Sequence, residues 1–198
     1  LDYTTYLLSG LIPWLAFSET MGRASTAITS NANLVKQVVF PIEILPAKGV
    51  LSSLFTECVF FVLMVGYVLI AHHSLPWTYM LLPILLLIQT LAMIGISYIL
   101  SAVGGYFRDI KDFVQVFCAI GVFLMPIFYM PNQVPGLLRP LLYLNPFSYL
   151  GWCYQDVCFF GRFEHPWAWL AFVVLSGGLF HTGYRVFRKL KNHFGSVL

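Results

Sequence analysis

In a chain of 198 residues, 59% are hydrophobic, only 10% are charged, and mean hydropathy is +0.81, whereas a soluble domain carries about 45–50% apolar and 25% charged residues. These proportions exclude a soluble enzyme or soluble binding module. The net charge of +3 sits in the connections between apolar blocks, so it reflects topology and gives no sign of a nucleic-acid surface.

Five apolar blocks follow one another at 6–18, 49–71, 79–105, 113–130 and 167–187. A bilayer core of ~30 Å needs about 20 residues at 1.5 Å each, a length the first block reaches only by continuing through Met21 and Ala24. The sequence predicts an all-α, polytopic membrane protein with five spans in one transmembrane domain, residues 1–198. Lys and Arg fall in alternate gaps. One side holds Arg23, Lys36 and Lys48, then Arg108 and Lys111, then Arg185, Arg188, Lys189 and Lys191; the other holds only Arg139 and Arg162, although it has the longest loop. The first side, with the carboxyl end, is therefore expected to be cytoplasmic. Five crossings then put Leu1 outside. With no initial Met and no secretory signal pattern, at least one preceding span is expected, making the chain a fragment of a six-span protein.

The first connection, Ser30 to Pro46, is too polar at its start to span and too apolar to float freely. On a helix Leu34, Val35, Val38 and Val39 share one face, Asn33 and Lys36 lie off it, and Asn31 or Asn33 can serve as N-cap. Pro41 ends that helix, and Pro46 suits the first turn of the next span. The segment suits transmission of movement from a cytoplasmic partner, or equally a rest on lipid headgroups. Further on, Met130 to Pro166 contains Pro131, Pro135, Pro140, Pro146 and Pro166, with apolar runs at 137–144 and 147–160. Two short re-entrant helices surrounded by protein would keep its backbone paired. The alternative is an interfacial cap in which Tyr149, Trp152 and Tyr154 form an aromatic belt.

Other features argue against catalysis and metal binding. No phosphate loop occurs. Leu175-Ser176-Gly177-Gly178 is a chance match to a nucleotide-binding signature, better read as small residues permitting close helix approach. His72, His73, His165 and His181 lack ligand spacing. Asp109 and Asp112 read as a solvated loop beside Arg108 and Lys111 rather than a catalytic pair. Cys58 and Cys118 read as small hydrophobes. Cys153 and Cys158 are separated by ~7.5 Å of rise on a regular helix, too far to bridge, so a disulfide between them would mean that the segment is not a regular helix.

Leu7-Leu8-Ser9-Gly10-Leu11-Ile12-Pro13-Trp14, Asn33-Leu34-Val35-Lys36 with Phe40-Pro41-Ile42-Glu43-Ile44-Leu45-Pro46, Tyr106-Phe107-Arg108-Asp109-Ile110, and Leu144-Asn145-Pro146-Phe147 together resemble the type-2 ATP-binding-cassette permeases that export O-antigen, capsule and teichoic-acid polymers. The resemblance runs in order along nearly the whole chain. It implies six spans in the bacterial inner (plasma) membrane, a homodimer with the path between protomers, a lipid-linked glycan as substrate, and a separate ATPase subunit that uses the ATP, with no cofactor bound by this chain. It makes Asn31, Asn33, Leu34, Val35, Lys36, Val38, Phe40, Pro41 and Glu43 the coupling element that docks on the ATPase. It makes Pro131, Pro140, Tyr143, Asn145, Pro146 and Phe147 part of an external gate.

A glycan path should mix aromatic faces with small polar groups, and 17% of the chain is aromatic. Gln89 or Thr90, Met93, Ser97, Ser101 and Gly104 form one stripe; Gly49, Ser52 or Ser53, and Thr56 form another. Both stripes serve as path or as helix-packing seams. Glu57 is the deepest acid, and an ionised carboxylate there costs about 2.5–3.5 kcal/mol. It is a polar contact in the path or a buried acid bonded to Ser53. A drug or small-lipid permease of the same architecture is the nearest alternative. A membrane enzyme acting on prenyl-linked sugars would need convergent acids, and only Asp109 and Asp112, or Asp156 and Glu164, are available. A secondary transporter would need internal repeats and more than Glu57 at mid-membrane.

Overall fold

A computed structural model describes residues 2–35, 41–107, 109–130, 134–136 and 139–191. Among them every regular element is a helix, and the α-helices run in the order α1 (Tyr3–Thr26), α2 (Ala32–Val35), α3 (Ile44–His72), α4 (Leu82–Tyr106), α5 (Ile110–Leu124), α6 (Arg139–Leu144), α7 (Pro146–Gln155) and α8 (Pro166–Leu190). The stretches 44–72, 77–106 and 166–190 are long and apolar enough to cross a membrane. The chain is an all-α polytopic membrane protein.

The first block does continue past Ala24. Asp2 starts α1 by accepting from the Thr5 amide at 3.4 Å and its hydroxyl at 2.7 Å, satisfying a donor that the first turn leaves open. The resulting 24 residues rise ~36 Å. This helix is the axle of the bundle, packed on α3, α4, α5 and α7. Its Trp14, Phe17 and Met21 are buried.

The fourth block departs from expectation. Its helix stops at Leu124, after 15 residues, or ~22 Å. Pro126 disfavours helical geometry in the residue before it, and Met125 is accordingly extended at φ −99°, ψ 151°. Residues 125–127 then fold inward and are wholly buried.

Close helix approach depends on glycines other than the pair singled out in the sequence. A Cβ on Gly95 would lie 2.5 Å from the Leu179 carbonyl carbon, and one on Gly183 would lie 2.2 Å from the Gly95 oxygen. The α4–α8 seam therefore brings backbone against backbone, as small residues allow in lipid. Gly177 and Gly178 have nothing within 4 Å, so they do not make this contact.

The helices define two ends. One gathers the start of α1, the end of α3, and α6, α7 and the approach to α8; Tyr67 and His72 of α3 meet Asp2 there. The other gathers the end of α1, α2 and the end of α8, where Lys191 bonds Glu43. We call them the hairpin end and the basic end.

Candidate functional site

At the basic end, α1 gives way to a 3₁₀ turn, Thr29–Asn31, and the four-residue α2. A helix thus begins where the amphipathic pattern places one. Lys36, Val38, Phe40 and the side chains of Leu34 and Val35 lie outside the described residues. Asn31 Nδ2 donates back to the Ala27 carbonyl at 2.9 Å, since the chain there is still turning off α1. Asn33 is exposed, as is Pro41. Glu43 precedes α3 and accepts from Lys191 Nζ at 2.5 Å. That hydrogen bond and charge hold the Glu43 carboxyl below its ordinary pKa of 4.5. Leu45, Ile28, Tyr98, Ala102 and Phe187 form a separate apolar cluster behind it.

Midway along the bundle lies a buried polar knot. Gln89 of α4 donates through Nε2 to Glu57 Oε2 of α3 at 3.1 Å and to the Pro13 carbonyl of α1 at 3.3 Å. Its Oε1 accepts from the Tyr154 hydroxyl of α7 at 2.6 Å. One amide therefore ties four helices together. Tyr154 also stacks on Phe61, with centroids 5.3 Å apart. Glu57 is paired by Gln89 and not by Ser53, whose hydroxyl donates to the Gly49 carbonyl at 3.3 Å. Glu57 Oε1 has no hydrogen-bond partner among the described residues.

Of the suggested path residues, Ser53, Glu57, Gln89, Met93 and Ser97 are all at most 1% exposed. They sit inside this chain's own helix packing, and Thr56 is half-buried beside them with its hydroxyl on the Ser52 carbonyl at 3.3 Å. The stripes thus coincide with packing seams.

The segment before α8 is a helical hairpin inserted into the bundle. From exposed Pro140 and Tyr143, α6 leads to Asn145. Asn145 Oδ1 accepts from the Phe147 amide at 3.1 Å, capping α7, while Nδ2 donates to the Leu124 carbonyl at 3.2 Å. Pro146 fills the first position of α7, where its missing N–H costs nothing. Phe147 then packs edge-on between Trp14 and Phe17 of α1, with centroids 5.3 and 5.2 Å away. Pro131 lies outside the described residues.

The return limb is enclosed by protein, as a re-entrant helix requires. Trp152 is 2% exposed and Tyr154 fully buried, so they are not a lipid-facing belt. Residues Asp156–Phe160 widen into a π-helical turn that Gly161 ends at φ +65°. The carbonyls of Val157 and Cys158 in this turn accept from Thr78 (2.6 Å) and Tyr79 (2.9 Å). Buried Asp156 accepts from the His165 amide at 3.0 Å, His165 Nδ1 at 2.9 Å and Trp169 Nε1 at 3.1 Å. Cys153 and Cys158 are unbonded and buried.

Tyr154, Gln155 and Asp156 were not singled out as site residues in the sequence. The signal was present: three polar groups in succession inside the apolar run 147–160.

Residues 2–157 match the family described as ABC-2 type transporter. The chain belongs to that family. An O-antigen export system permease protein RfbA of Klebsiella pneumoniae is 26% identical over 200 residues, covering all of this chain and 76% of the relative. The protein of the same name from Myxococcus xanthus is 27% identical over 203 residues, with the same coverage. Polysialic acid transport protein KpsM of Escherichia coli is 24% identical over 147 residues, 74% of this chain and 57% of the relative. In this ABC-2 chain the matched region takes in the basic-end turn, the polar knot and the hairpin, and ends within the π turn.

Proposed function

We propose that this chain is the transmembrane subunit of an ATP-driven exporter that moves a lipid-linked polysaccharide across the bacterial inner membrane. Similarity along the whole of this chain, and 76% of the relatives' own length, to permeases named for O-antigen export carries the reading. The chain forms no bonds in its cargo; ATP is hydrolysed by a separate subunit docked at the basic end. That end is cytoplasmic, in keeping with its excess of Lys and Arg, and the hairpin end faces outward.

In this reading two copies of the chain form the pathway between them. Closure of the ATPase subunits pushes the 31–45 segment, and the movement passes through α3 to the polar knot. Because Gln89 bonds α1, α3 and α7 together, displacement of α3 changes the seating of the hairpin at the outer mouth. The glycan enters from the inner leaflet and leaves past α6 and α7.

Co-purification tests the assignment. A tagged permease should bring down an ATPase subunit, and cells lacking the permease should lose surface polysaccharide and regain it on complementation. Leu34→Asp should leave membrane insertion intact while uncoupling ATP hydrolysis from export. Unchanged export in that variant would remove the coupling role from this segment; unchanged surface polysaccharide without the permease would remove the function.

A further inference from the structure

Helix α8 has two unlike faces. Ala168, Phe172, Ser176, Gly183 and Phe187 are buried where the helix packs on α4 and α7. Leu170, Val174, Gly177, His181, Arg185 and Arg188 are exposed, and at about 3.6 residues per turn they fall within an arc of about 80° opposite the buried set. This arc is apolar toward the hairpin end and cationic toward the basic end, with exposed Lys189 at its edge.

Exposed Trp167 begins the same face. From Trp167 to Arg188 the helix rises ~32 Å, against a bilayer core of ~30 Å. With the indole at one membrane boundary, Arg188 and Lys189 lie at the other, and Arg185 sits ~4.5 Å inside it. An Arg at that depth is tolerated where its guanidinium reaches back to the headgroup level and meets an anion there. The chain supplies none. Helix α8 contains no Asp or Glu, and among the described residues no carboxylate pairs with Arg185, Arg188 or Lys189. Arg188 lies over the Tyr184 ring, 5.7 Å from its centroid, which is no counter-ion. Glu43 feels the Arg188 charge but is bonded to Lys191.

We propose that this face of α8 seats an anionic phospholipid of the leaflet at the basic end, with its phosphate on Arg185 and Arg188, Lys189 beside it, and one acyl chain running past His181 to Gly177. A guanidinium matches phosphate with paired, charge-assisted N–H donors. The rise from Gly177 to Arg188 is ~16 Å, about the depth of one leaflet of the core, and a Cβ on Gly177 or Gly178 would meet nothing within 4 Å, so the helix surface is open where the chain would lie. Charge selects the lipid: a zwitterionic headgroup would bring an ammonium against three cations with no carboxylate to receive it, whereas a net negative one complements them. Charge also selects against a second copy, because this face turned on itself by a two-fold axis along the membrane normal would set Arg185 and Arg188 against their own counterparts. The inference rests on α8 crossing the membrane and not on the cargo.

The test titrates the full-length permease in neutral detergent with phosphatidylglycerol and phosphatidylcholine of identical acyl chains, read by native mass spectrometry. Phosphatidylglycerol should bind at least tenfold more tightly. Arg185→Gln and Arg188→Gln, at exposed positions, should each weaken it about fivefold, the size expected for one basic residue near an anionic headgroup, and leave phosphatidylcholine unchanged. Lys111→Gln, which removes an exposed cation from α5, should have no such effect. Glycerophosphoglycerol, the same headgroup without acyl chains, should not compete at equal concentration. Equal binding of the two lipids, phosphatidylglycerol binding unchanged in both Arg variants, an equal loss in Lys111→Gln, or full competition by glycerophosphoglycerol would each overturn the seat. Loss of a protein partner in the Arg variants while phosphatidylglycerol binding holds would give this face to that partner instead.

Discussion

The hairpin end and the basic end are held together by different chemistry. At the hairpin end, Thr78, Tyr79, Tyr6 and Gln155 donate to backbone carbonyls from buried or part-buried positions, and buried Asp156 collects three donors. Such bonds are sheltered from water and costly to break singly, because each leaves a buried group unpaired. Among the described residues the basic end is held by an apolar cluster, by a part-buried bond from the Tyr106 hydroxyl to the Leu190 carbonyl at 3.1 Å, and by Lys191–Glu43, whose side chains are 34% and 29% exposed. An ion pair of that kind is weakened by solvent and salt. Ends that differ in this way are suited to different tasks. The hairpin is braced so that it moves as a unit with the helices it is bonded to, while the basic end can yield locally to a partner.

The largest test removes the element both ends share. Helix α8 starts beside Asp156 and ends just before Lys191, and it is fixed to α4 where Gly95 and Gly183 meet backbone to backbone. Gly183→Val should cost about 3 kcal/mol or more through overpacking, lowering Tm by roughly 6–12 °C for a chain of this size, with both ends loosened together. Gly178→Ala, on the same helix but facing nothing within 4 Å, should leave Tm nearly unchanged. Equal losses for the two would mean that the seam is not where α8 is held.

Next in size is the knot. Gln89→Leu strips partners from Glu57, Tyr154 and the Pro13 carbonyl at once, and should destabilise by about 2–3 kcal/mol because buried polar groups are orphaned. In Tyr154→Phe the loss should be smaller, about 1 kcal/mol. The double variant should lose less than the sum, since the two share one hydrogen bond; strict additivity in thermal unfolding would show that the four helices are not tied through this amide. At the hairpin end alone, Thr78→Val removes the donor to the Val157 carbonyl and should cost about 1 kcal/mol, read as faster hydrogen exchange in 156–160 with the basic end unaffected.

Much of this arrangement was legible in the sequence, and the gaps have physical causes. Hydropathy placed α3, α4 and α8, because an apolar run of span length has few alternatives. Proline positions placed the hairpin, because a Pro is best accommodated in the first turn of a helix, where Pro140 and Pro146 both lie. The same rule missed at Pro126: the apolar run 113–130 reads through it, yet the restriction on Met125 ends α5. Composition also could not tell Gly95 and Gly183 from Gly177 and Gly178, since which glycine meets another helix depends on rotation about the axis. Ser53, offered as the partner of Glu57 in one of its two readings, is not that partner for a related reason. Ser53 is one turn away on the same helix, but its hydroxyl has a nearer acceptor in the Gly49 carbonyl, while Gln89 reaches across from α4.

The smallest effect probes the yielding end. Lys191→Met abolishes the ion pair with Glu43, and at this exposure the loss should be no more than about 1 kcal/mol. Its pH dependence is the sharper signature. Glu43 is held below its ordinary pKa of 4.5 in the folded chain, chiefly by the Lys191 hydrogen bond. A carboxyl with a depressed folded pKa stabilises the fold fully above its unfolded value and loses that contribution as pH falls through the folded one. In the parent, stability at the basic end should therefore decline below about pH 4.5, and Lys191→Met should flatten that part of the decline while lowering the plateau above it. Asp2 at the hairpin end is also held well below the usual carboxylate range, by Thr5 first and then Tyr67 and His72, so acid loosens that end as well, in parent and variant alike. Hydrogen exchange resolved by segment separates the two. If Lys191→Met flattens the acid response around Asp2 as much as around Glu43, the ends are coupled more tightly than their bonding implies.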